Sequence, residues 1–518
     1  MSGNSEKNAV REAVDDLQVR KAKALEMGGS KKLSKRKADG HLNARERLAF
    51  LMDDGKFTEF GLLATSHRPE VQDKSAADGK ITVFGEINRR PVAAISNDFT
   101  VMGASSSVIN GKKMRHIKEL AAKRGAPIVF LGESSGARMP DRMGAAGRAI
   151  LGQDPREYLR TRETPWVSAL LGDCYGSSTW YTCLSDFVVM RKGATMAVAS
   201  SRVTSIAISQ PVDSEDQGGS RLHSATTGLV DSVVDTDEEA IANIKKFLGY
   251  LPGSKNDMPP VADIPIGSDA RGEEILNTLP ESRTSVYDSR AIIKCIFDTN
   301  SLLELKPRCG KSIVTGLTRL DGHSVGIIAN NPKFKGGAID VNAMRKATSF
   351  LVMCDSFNIP ILFLVDQPGF LVGIEGEKRG APGQIMNWMN ALSLCTVPTV
   401  TLTMRKNYGQ AYLNMGGGRM SDVQASWPTA DYGFMEPRLG VNVLYNLREA
   451  DDPERFAALT EEIGRDSSAW SLASLYESQA VVDPRETRGF LIDTFSVLGA
   501  RSEKPTGQKL LSNWPTSY

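Results

Sequence analysis

The sequence predicts an α/β fold that occurs twice in one chain. Three observations support this: strand patterns alternate with helix patterns, Gly-rich turns follow the strands, and the second half repeats the order of the first. Alternation of strands and helices is typical of layered α/β domains. At 518 residues the chain is also long enough for two or more hydrophobic cores.

The first half begins with a strand, a Gly turn and a second strand, KITVFGEI (80–87) and PVAAISND (91–98). A helix around 112–123 and the strand APIVFLGE (126–133) follow. A short apolar entry, LLGDCYG (170–176), then leads into a small-residue turn and a further helix. This order predicts that chemistry is placed where strands turn into helices.

The second half repeats the first with a constant spacing. The matched pairs are Val92 and Val325, Asn97 and Asn330, Gly103 and Gly336, Lys113 and Lys346, Pro127 and Pro360, Gly136 and Gly369, and Gly176 and Gly409. Each pair has the same separation, for example 360 − 127 = 233. Such a constant separation predicts two homologous domains produced by duplication.

Four segments are expected along the chain. Residues 1–45 are predicted to be a helical, basic N-terminal segment, and residues 46–255 the first repeated domain. The Pro-, Gly- and Asp-rich residues 256–275 are predicted to be a linker, and residues 276–518 the second domain. The basic run KKLSKRK (31–37) is interpreted as a solvated face, with phosphate steering as the alternative.

Composition excludes several functional classes. Lys+Arg 63 against Asp+Glu 61 gives a formal charge of +2, so no nucleic-acid partner is expected. No apolar stretch reaches about 18 residues, so no membrane span is expected. The six cysteines form no CxxC pair and have no His cluster beside them, which indicates neither a disulfide framework nor a metal site. The polar, acidic start favours a cytoplasmic enzyme.

The candidate catalytic turns are Gly176-Ser177 in the first half and Gly409-Gln410 in the second. A small-residue turn before a helix points successive backbone N–H groups towards one spot, where they can stabilise a developing oxyanion. Two such sites suit a reaction with two carbonyls. The alternative is that Gly176 and Gly409 only let a strand turn into a helix.

A second candidate is ESSGARMPDRMG (133–144), where Ser135, Gly136, Ala137 and Arg138 could cover the pantetheine or a phosphate of coenzyme A. The alternative is an ordinary strand-to-helix turn with a surface arginine. No GxSxG, HExxH or Walker motif is present, and His223, in a Gly/Ser-rich loop, is interpreted as structural. Glu133 and Asp366, which end matching strands, are expected to cap helices.

The chain resembles the carboxyltransferase (β) subunits of biotin-dependent acyl-CoA carboxylases, of the propionyl-CoA carboxylase type. The resemblance covers nearly the whole chain and is carried by SNDFTVMGASSSVINGKKM (96–114), SSGAR (134–138), DCYGSSTWYTCLSDFVVM (173–190), CDSFNIPILFLVDQPGFLVG (354–373), RKNYGQAY (405–412) and WPTADYGFM (427–435).

This resemblance implies a tandem duplicated crotonase-like (ClpP/crotonase) fold in a homo-oligomer, usually a hexamer built from dimers. The first domain would bind the acyl-CoA thioester and face the second domain of a partner subunit, which would receive N1-carboxybiotin. Biotin would be carried by a separate domain or subunit. A biotin carboxylase partner would use ATP and bicarbonate.

The resemblance also assigns roles to individual residues. Gly176 with Ser177 would hold the thioester enolate, and Gly409 with Gln410 the ureido oxygen of biotin. The predicted substrate-binding residues around them are Ser135, Gly136, Ala137, Arg138, Cys174, Tyr175, Tyr408, Ala411 and Leu413. Leu413 stands at the position where, in the family, a residue influences the size of the acyl group that is accepted.

Both turns depart from the family pattern. Ser177 replaces the second glycine of a usual Gly-Gly pair, and Gln410 stands where small residues are usual. A backbone N–H survives any substitution except proline, so oxyanion stabilisation is expected to persist. The predicted function is carboxyl transfer to an acyl-CoA. The alternatives are an acyl-CoA decarboxylase of the same fold and a CoA-binding paralogue without catalytic activity.

Overall fold

The computed structural model describes residues 3–149, 157–499 and 509–515. The chain divides into two compact units, Met1–Gly249 and Tyr250–Tyr518. Each unit is built on its own mixed sheet with helices packed against it, so the predicted α/β fold and its duplication are confirmed. The predicted boundary at residue 255 and the substrate assigned to each domain stay predictions.

The N-terminal unit begins with three helices and carries the first sheet. Its strands are β1 (Phe57–Phe60), β2 (Lys80–Ile87), β3 (Arg90–Asn97), β4 (Ile128–Ser134), β5 (Trp166–Tyr175), β6 (Phe187–Arg191), β7 (Thr195–Ala197) and β8 (Ser232–Val234). Its helices are α1 (Gly3–Leu25), α2 (Ser30–Ala38), α3 (Ala44–Leu51), α4 (Val108–Arg124), α5 (Met139–Arg142), α6 (Gly144–Ala149), α7 (Ser177–Cys183), α8 (Ser201–Ile208), α9 (Ser214–Gly218), α10 (Ser220–Leu222) and α11 (Asp237–Tyr250).

The C-terminal unit carries the second sheet. Its strands are β9 (Leu303–Leu305), β10 (Ile313–Leu320), β11 (His323–Asn330), β12 (Ile361–Gln367), β13 (Thr399–Tyr408), β14 (Val423–Ser426), β15 (Asp431–Gly433) and β16 (Ala480–Val481). Its helices are α12 (Gly272–Thr278), α13 (Ser289–Ile296), α14 (Val341–Ser356), α15 (Ile374–Lys378), α16 (Ala381–Ser393), α17 (Ala411–Asn414), α18 (Pro437–Tyr445), α19 (Pro453–Gly464), α20 (Ala469–Ser474) and α21 (Thr487–Leu498).

The two sheets have the same strand order. The first runs β1-β2-β3-β4-β5-β6-β8 with β7 beside β5, and the second runs β9-β10-β11-β12-β13-β14-β16 with β15 beside β13. In each, the first three strands are antiparallel and the remaining pairings are parallel. Strands β10 to β13 start at the constant separation from β2 to β5, as in 313 − 80 = 233. The sequence repeat is therefore a structural repeat.

The burial of the central strands explains why their sequences are apolar. All seven residues of β4 and all seven of β12 are buried. A parallel strand covered on both faces needs a continuous apolar run instead of an alternating one. In the N-terminal unit α4 adds Met114, Ile117 and Ala121 to the core under β3 and β4.

The N-terminal segment is anchored to the first sheet. The short helix α3 is capped by Asn43 and buries Leu48 and Leu51. The basic run 31–37 lies on α2 and is only partly a solvated face. Arg36 makes a two-pronged ion pair with Glu133 at 2.7 and 2.8 Å, and Lys32 donates to the Thr100 carbonyl at 2.8 Å. The interpretation as a solvated face is thus wrong for Arg36, which is half-buried, whereas Lys32 is exposed.

Candidate functional site

The turn at Gly176 lies where β5 ends and α7 begins. Gly176 has φ +65° and ψ −126°, a backbone conformation that side-chain-bearing residues rarely adopt. A Cβ at this position would lie 3.7 Å from the Gly136 Cα, so the turn packs directly on a second turn. Within the described ranges, no hydrogen bond uses the N–H of Gly176, Ser177 or Ser178. The turn therefore presents unused amide donors.

The second turn follows β4. Gly136 has φ +98°, and two N–H groups of this turn are used: Ser135 donates to the Gly103 carbonyl at 2.9 Å and Arg138 to the Ser106 carbonyl at 3.0 Å. Ala137 is exposed, and its N–H donates no hydrogen bond to any of the described residues. Two turns from neighbouring strands thus bring unused N–H groups to one place.

A cleft of about 540 Å³ opens at these turns. Ala137, Gly176 and Ser177 line one part of it. The other walls include cationic and aromatic side chains and one carboxylate, namely Lys112, Arg115, Lys118, Arg142, Tyr158, Trp180, Tyr181 and Glu157. The Lys118 ammonium lies 4.8 Å from the centre of the Tyr181 ring. Sequence reasoning missed these residues, although basic residues at every third position of 112–118 were a usable signal.

Two hydroxyl groups meet inside the cleft. The Oγ atoms of Ser106 and Ser177 are 2.5 Å apart, and both side chains are half-buried. Ser106 also pairs with Ala137 as an isolated parallel bridge. The hydroxyl pair therefore stands beside the unused amides of both turns.

Three predicted site residues in this unit have buried side chains. Arg138 is 3% exposed, and its guanidinium donates to Asp78 at 2.6 Å and to Ser105 at 3.2 Å. The expectation that this side chain contacts a coenzyme phosphate is therefore corrected. Cys174 is fully buried, and burial raises the pKa of its thiol to about 12, which removes it as a thiolate nucleophile. Burial likewise raises the pKa of Tyr175 to about 12.

The turn of the C-terminal unit differs from its counterpart. Gly409 has φ +67°, but its N–H donates to the Gly433 carbonyl at 3.0 Å. The expectation that Gly409 offers a free donor is therefore corrected. The N–H groups of Gln410 and Ala411 donate no hydrogen bond within the described part of the chain. The Gln410 side chain is exposed. Gln410, not Gly409, is the first donor of this turn.

The other predicted residues of this turn lie around it. The Tyr408 hydroxyl donates to Asp431, and burial raises the pKa of Tyr408. Ala411 is buried at the start of α17. Leu413 is half-buried in α17, and its role in acyl size stays a prediction.

Glu133 and Asp366 are not helix caps. Glu133 accepts hydrogen bonds from Arg36 and Arg47, and Asp366 accepts from Arg405 Nε at 2.8 Å. Each is the penultimate residue of a central strand, so these ion pairs fix the strand ends. His223 is a structural residue: its Nε2 donates to the Met196 carbonyl at 2.7 Å, and burial lowers its pKa.

Within the described residues, no group of three or more His, Cys, Asp or Glu side chains is arranged to hold a metal ion. In the same part of the chain, every helix is too short or too polar to cross a bilayer.

Residues 35–509 match the carboxyl transferase domain family, and the chain belongs to that family. Its relatives include the carboxyltransferase subunit of propionyl-CoA carboxylase from Haloferax mediterranei, 33% identical over 513 residues that cover 96% of this chain and 98% of that protein.

Two further relatives widen the range of chemistry. Methylmalonyl-CoA decarboxylase subunit alpha from Veillonella parvula is 32% identical over 96% of this chain and 98% of its own length. The structure of transcarboxylase 12S with methylmalonyl-coenzyme A and methylmalonic acid bound has a TM-score of 0.88 and 31% identity, covering 96% of this chain and 97% of that one. The resemblance to acyl-CoA carboxylase carboxyltransferase subunits and the duplicated crotonase-like fold are confirmed, and the protein is a carboxyltransferase.

Proposed function

We propose that this protein transfers a carboxyl group to the carbon next to the thioester carbonyl of an acyl-CoA, as the carboxyltransferase component of an acyl-CoA carboxylase. The observation that carries the proposal is the cleft of the N-terminal unit, in which unused amides from the turns at Ala137 and Gly176 meet. Removal of the α-proton leaves negative charge on the thioester oxygen. Fixed N–H dipoles stabilise that charge, and one such donor is typically worth about 10²–10³ in rate.

The walls of the cleft suit coenzyme A. Its phosphates are anionic, and Lys112, Arg115 and Arg142 bring positive charge to the same cleft as the amides. Planar rings at Trp180 and Tyr158 offer apolar surface to the pantetheine or adenine portion. The charge and shape of these walls support a binding mode with the thioester end at the turns.

The C-terminal unit has features that suit biotin held on a separate carrier. The exposed turn at Gln410 and Ala411 offers two amide donors that fit a ureido oxygen. Biotin, when bound, supplies the carboxyl group. A partner with biotin carboxylase and carrier functions would load it using ATP and bicarbonate. The carboxyltransferase itself would hold and orient the two reactants.

A second candidate function is decarboxylation of an acyl-CoA. It is favoured by the loss of one donor in the C-terminal turn, since the Gly409 N–H is bound to Gly433, and by the decarboxylase relative at 32% identity. A C-terminal turn with fewer amide donors for biotin would suit a protein that removes CO₂ from an acyl-CoA thioester and releases it.

The decisive experiment purifies the protein with its biotinylated partner from the source cells. Carboxylation of a panel of acyl-CoAs should depend on both ATP and bicarbonate, measured as incorporation of labelled bicarbonate. Release of CO₂ from malonyl-type thioesters by the isolated chain would establish the second candidate instead. Binding of CoA without turnover in either assay would contradict both and identify a non-catalytic paralogue.

We further propose a cytoplasmic homo-oligomer, either a dimer or a hexamer. Cys174, Cys295, Cys309 and Cys354 form no disulfide, which suits a reducing compartment. Exposed apolar residues on α8 (Val203, Ile206 and Ile208) and on α18 (Leu439, Val443 and Leu444) suit burial against another subunit. The related transcarboxylase 12S is described as a hexamer assembly. Light scattering during gel filtration measures the state, and a monomer at micromolar concentration would contradict the proposal.

A further inference from the structure

The Ser106–Ser177 hydroxyl pair is left unused by the proposed reaction. Oxyanion stabilisation needs only backbone N–H groups, and those persist whatever side chain stands at position 177. The two hydroxyls nevertheless face each other at 2.5 Å within the acyl-CoA cleft. At the equivalent positions of the C-terminal unit stand Ile339 and Gln410, as given by 339 − 106 = 233 and 410 − 177 = 233. The pair is therefore a feature of the acyl-CoA side alone.

The two serine hydroxyls can form more hydrogen bonds than the protein supplies partners for. Each serine hydroxyl has one donor and two acceptor sites, and the bond between the two oxygens uses one donor and one acceptor. One O–H and several lone pairs remain, in a cleft that a bound thioester would close to water. A purely apolar acyl group would leave them without partners, whereas an acyl oxygen would complete them.

The position of the pair identifies the carbon that would carry this oxygen. Ser177 bears both a hydroxyl and one of the unused N–H groups, so a thioester carbonyl held by that N–H would lie next to the pair. The α carbon is bonded to that carbonyl, so an α substituent would come within reach of the two hydroxyls. We infer that the Ser106–Ser177 pair makes this enzyme selective for CoA thioesters whose acyl group bears an α-hydroxyl. The inference rests on the proposed acyl-CoA function of this cleft.

Two CoA thioesters of equal size test it. Glycolyl-CoA carries a hydroxyl where propionyl-CoA carries a methyl group, so the two differ in hydrogen bonding and hardly in volume. Calorimetry on the full-length protein, without partner or ATP, should give a dissociation constant about tenfold lower for glycolyl-CoA, as expected for one net hydrogen bond. Ser106→Ala and Ser177→Ala should each bring the ratio of the two constants close to one.

A matched control is present in the same unit. The hydroxyls of Ser168 and Ser185 form another pair, 2.7 Å apart, in the buried sheet region and not on the cleft. Ser168→Ala should therefore keep the tenfold ratio, with thermal unfolding confirming that all variants fold. Equal affinity of the wild type for both thioesters, or a preference that survives both cleft variants, would overturn the inference. Failure to bind either thioester would instead contradict the proposed function.

Discussion

At the scale of single residues, the site depends on which backbone N–H groups remain unused. Gly176 and Gly409 occupy equivalent positions with almost the same φ, yet only Gly409 donates to a neighbouring carbonyl, that of Gly433. The sequence predicted both turns because the Tyr-Gly dipeptide repeats. It could not predict the difference, since β7 and β15 pair with equivalent positions of β5 and β13 and only the local backbone geometry differs.

Ser177→Pro tests the donor directly. Ser177 is the first residue of α7, a position where proline is tolerated because its missing N–H is not needed by the helix. Carboxylation should fall by about 10²–10³ while the protein still folds. Ser177→Ala, which keeps the N–H, should retain far more activity in the same kinetic assay. Similar rates for the two variants would show that the amide is not used.

Lys80 gives a pH-dependent prediction. It is 1% exposed, its ammonium has Asn97 Oδ1 as a partner at 3.2 Å, and burial lowers its pKa to about 8. Below pH 8 the folded protein holds a buried charge, which lowers stability. Between pH 8 and about 10.5 the folded state loses this proton before the unfolded state does, so the penalty disappears.

Lys80→Met should consequently stabilise the protein at pH 7, by up to about 3 kcal/mol, and much less near pH 10.5. Urea unfolding of wild type and variant at several pH values measures the difference. A difference that stays constant across this range would show that Lys80 does not titrate as described.

At the scale of elements, the strand patterns predicted β2, β3 and β4, and the constant separation of 233 residues predicted their counterparts β10, β11 and β12. It could not predict the role of α2, because that helix contacts residues far away in the sequence. Arg36 of α2 reaches Glu133, the penultimate residue of β4 and three positions before Gly136. The N-terminal segment thereby supports the turn that carries the Ala137 amide.

Arg36→Met should weaken this support. Glu133 would keep Arg47 but lose a two-pronged charged interaction, so unfolding free energy should fall by about 1.5–3 kcal/mol. Amide hydrogen exchange in residues 30–38 should accelerate. Lys35→Met, on the exposed side of the same helix, is the control and should change neither quantity. Unchanged exchange in Arg36→Met would exclude an anchoring role for this pair.

At the scale of the whole molecule, duplication has produced two units with one strand order but different turns. The N-terminal turn keeps its amides unused and is surrounded by cations, whereas the C-terminal turn has lost one donor and carries Gln410. The sequence predicted this division only through the family resemblance. The basic and aromatic walls of the cleft come from α4, α5, α7 and Tyr158, and only their packing brings them together.

Gln410→Pro tests whether the two units bind different substrates. Gln410 has φ −64°, which proline adopts without strain, and the substitution removes the first free N–H of the C-terminal turn. Carboxylation should fall by about 10²–10³, while the dissociation constant for acyl-CoA should change by less than about twofold. A comparable loss of acyl-CoA affinity would contradict the assignment of separate substrates to the two units.

The most direct test of the central claim is a crystal structure of the protein with a bound acyl-CoA thioester. The account predicts that the thioester oxygen lies about 2.7–3.1 Å from the amide nitrogen of Ala137 and from that of Gly176 or Ser177. A thioester oxygen that contacts neither turn, or a CoA bound outside the cleft lined by Ser106, would contradict it.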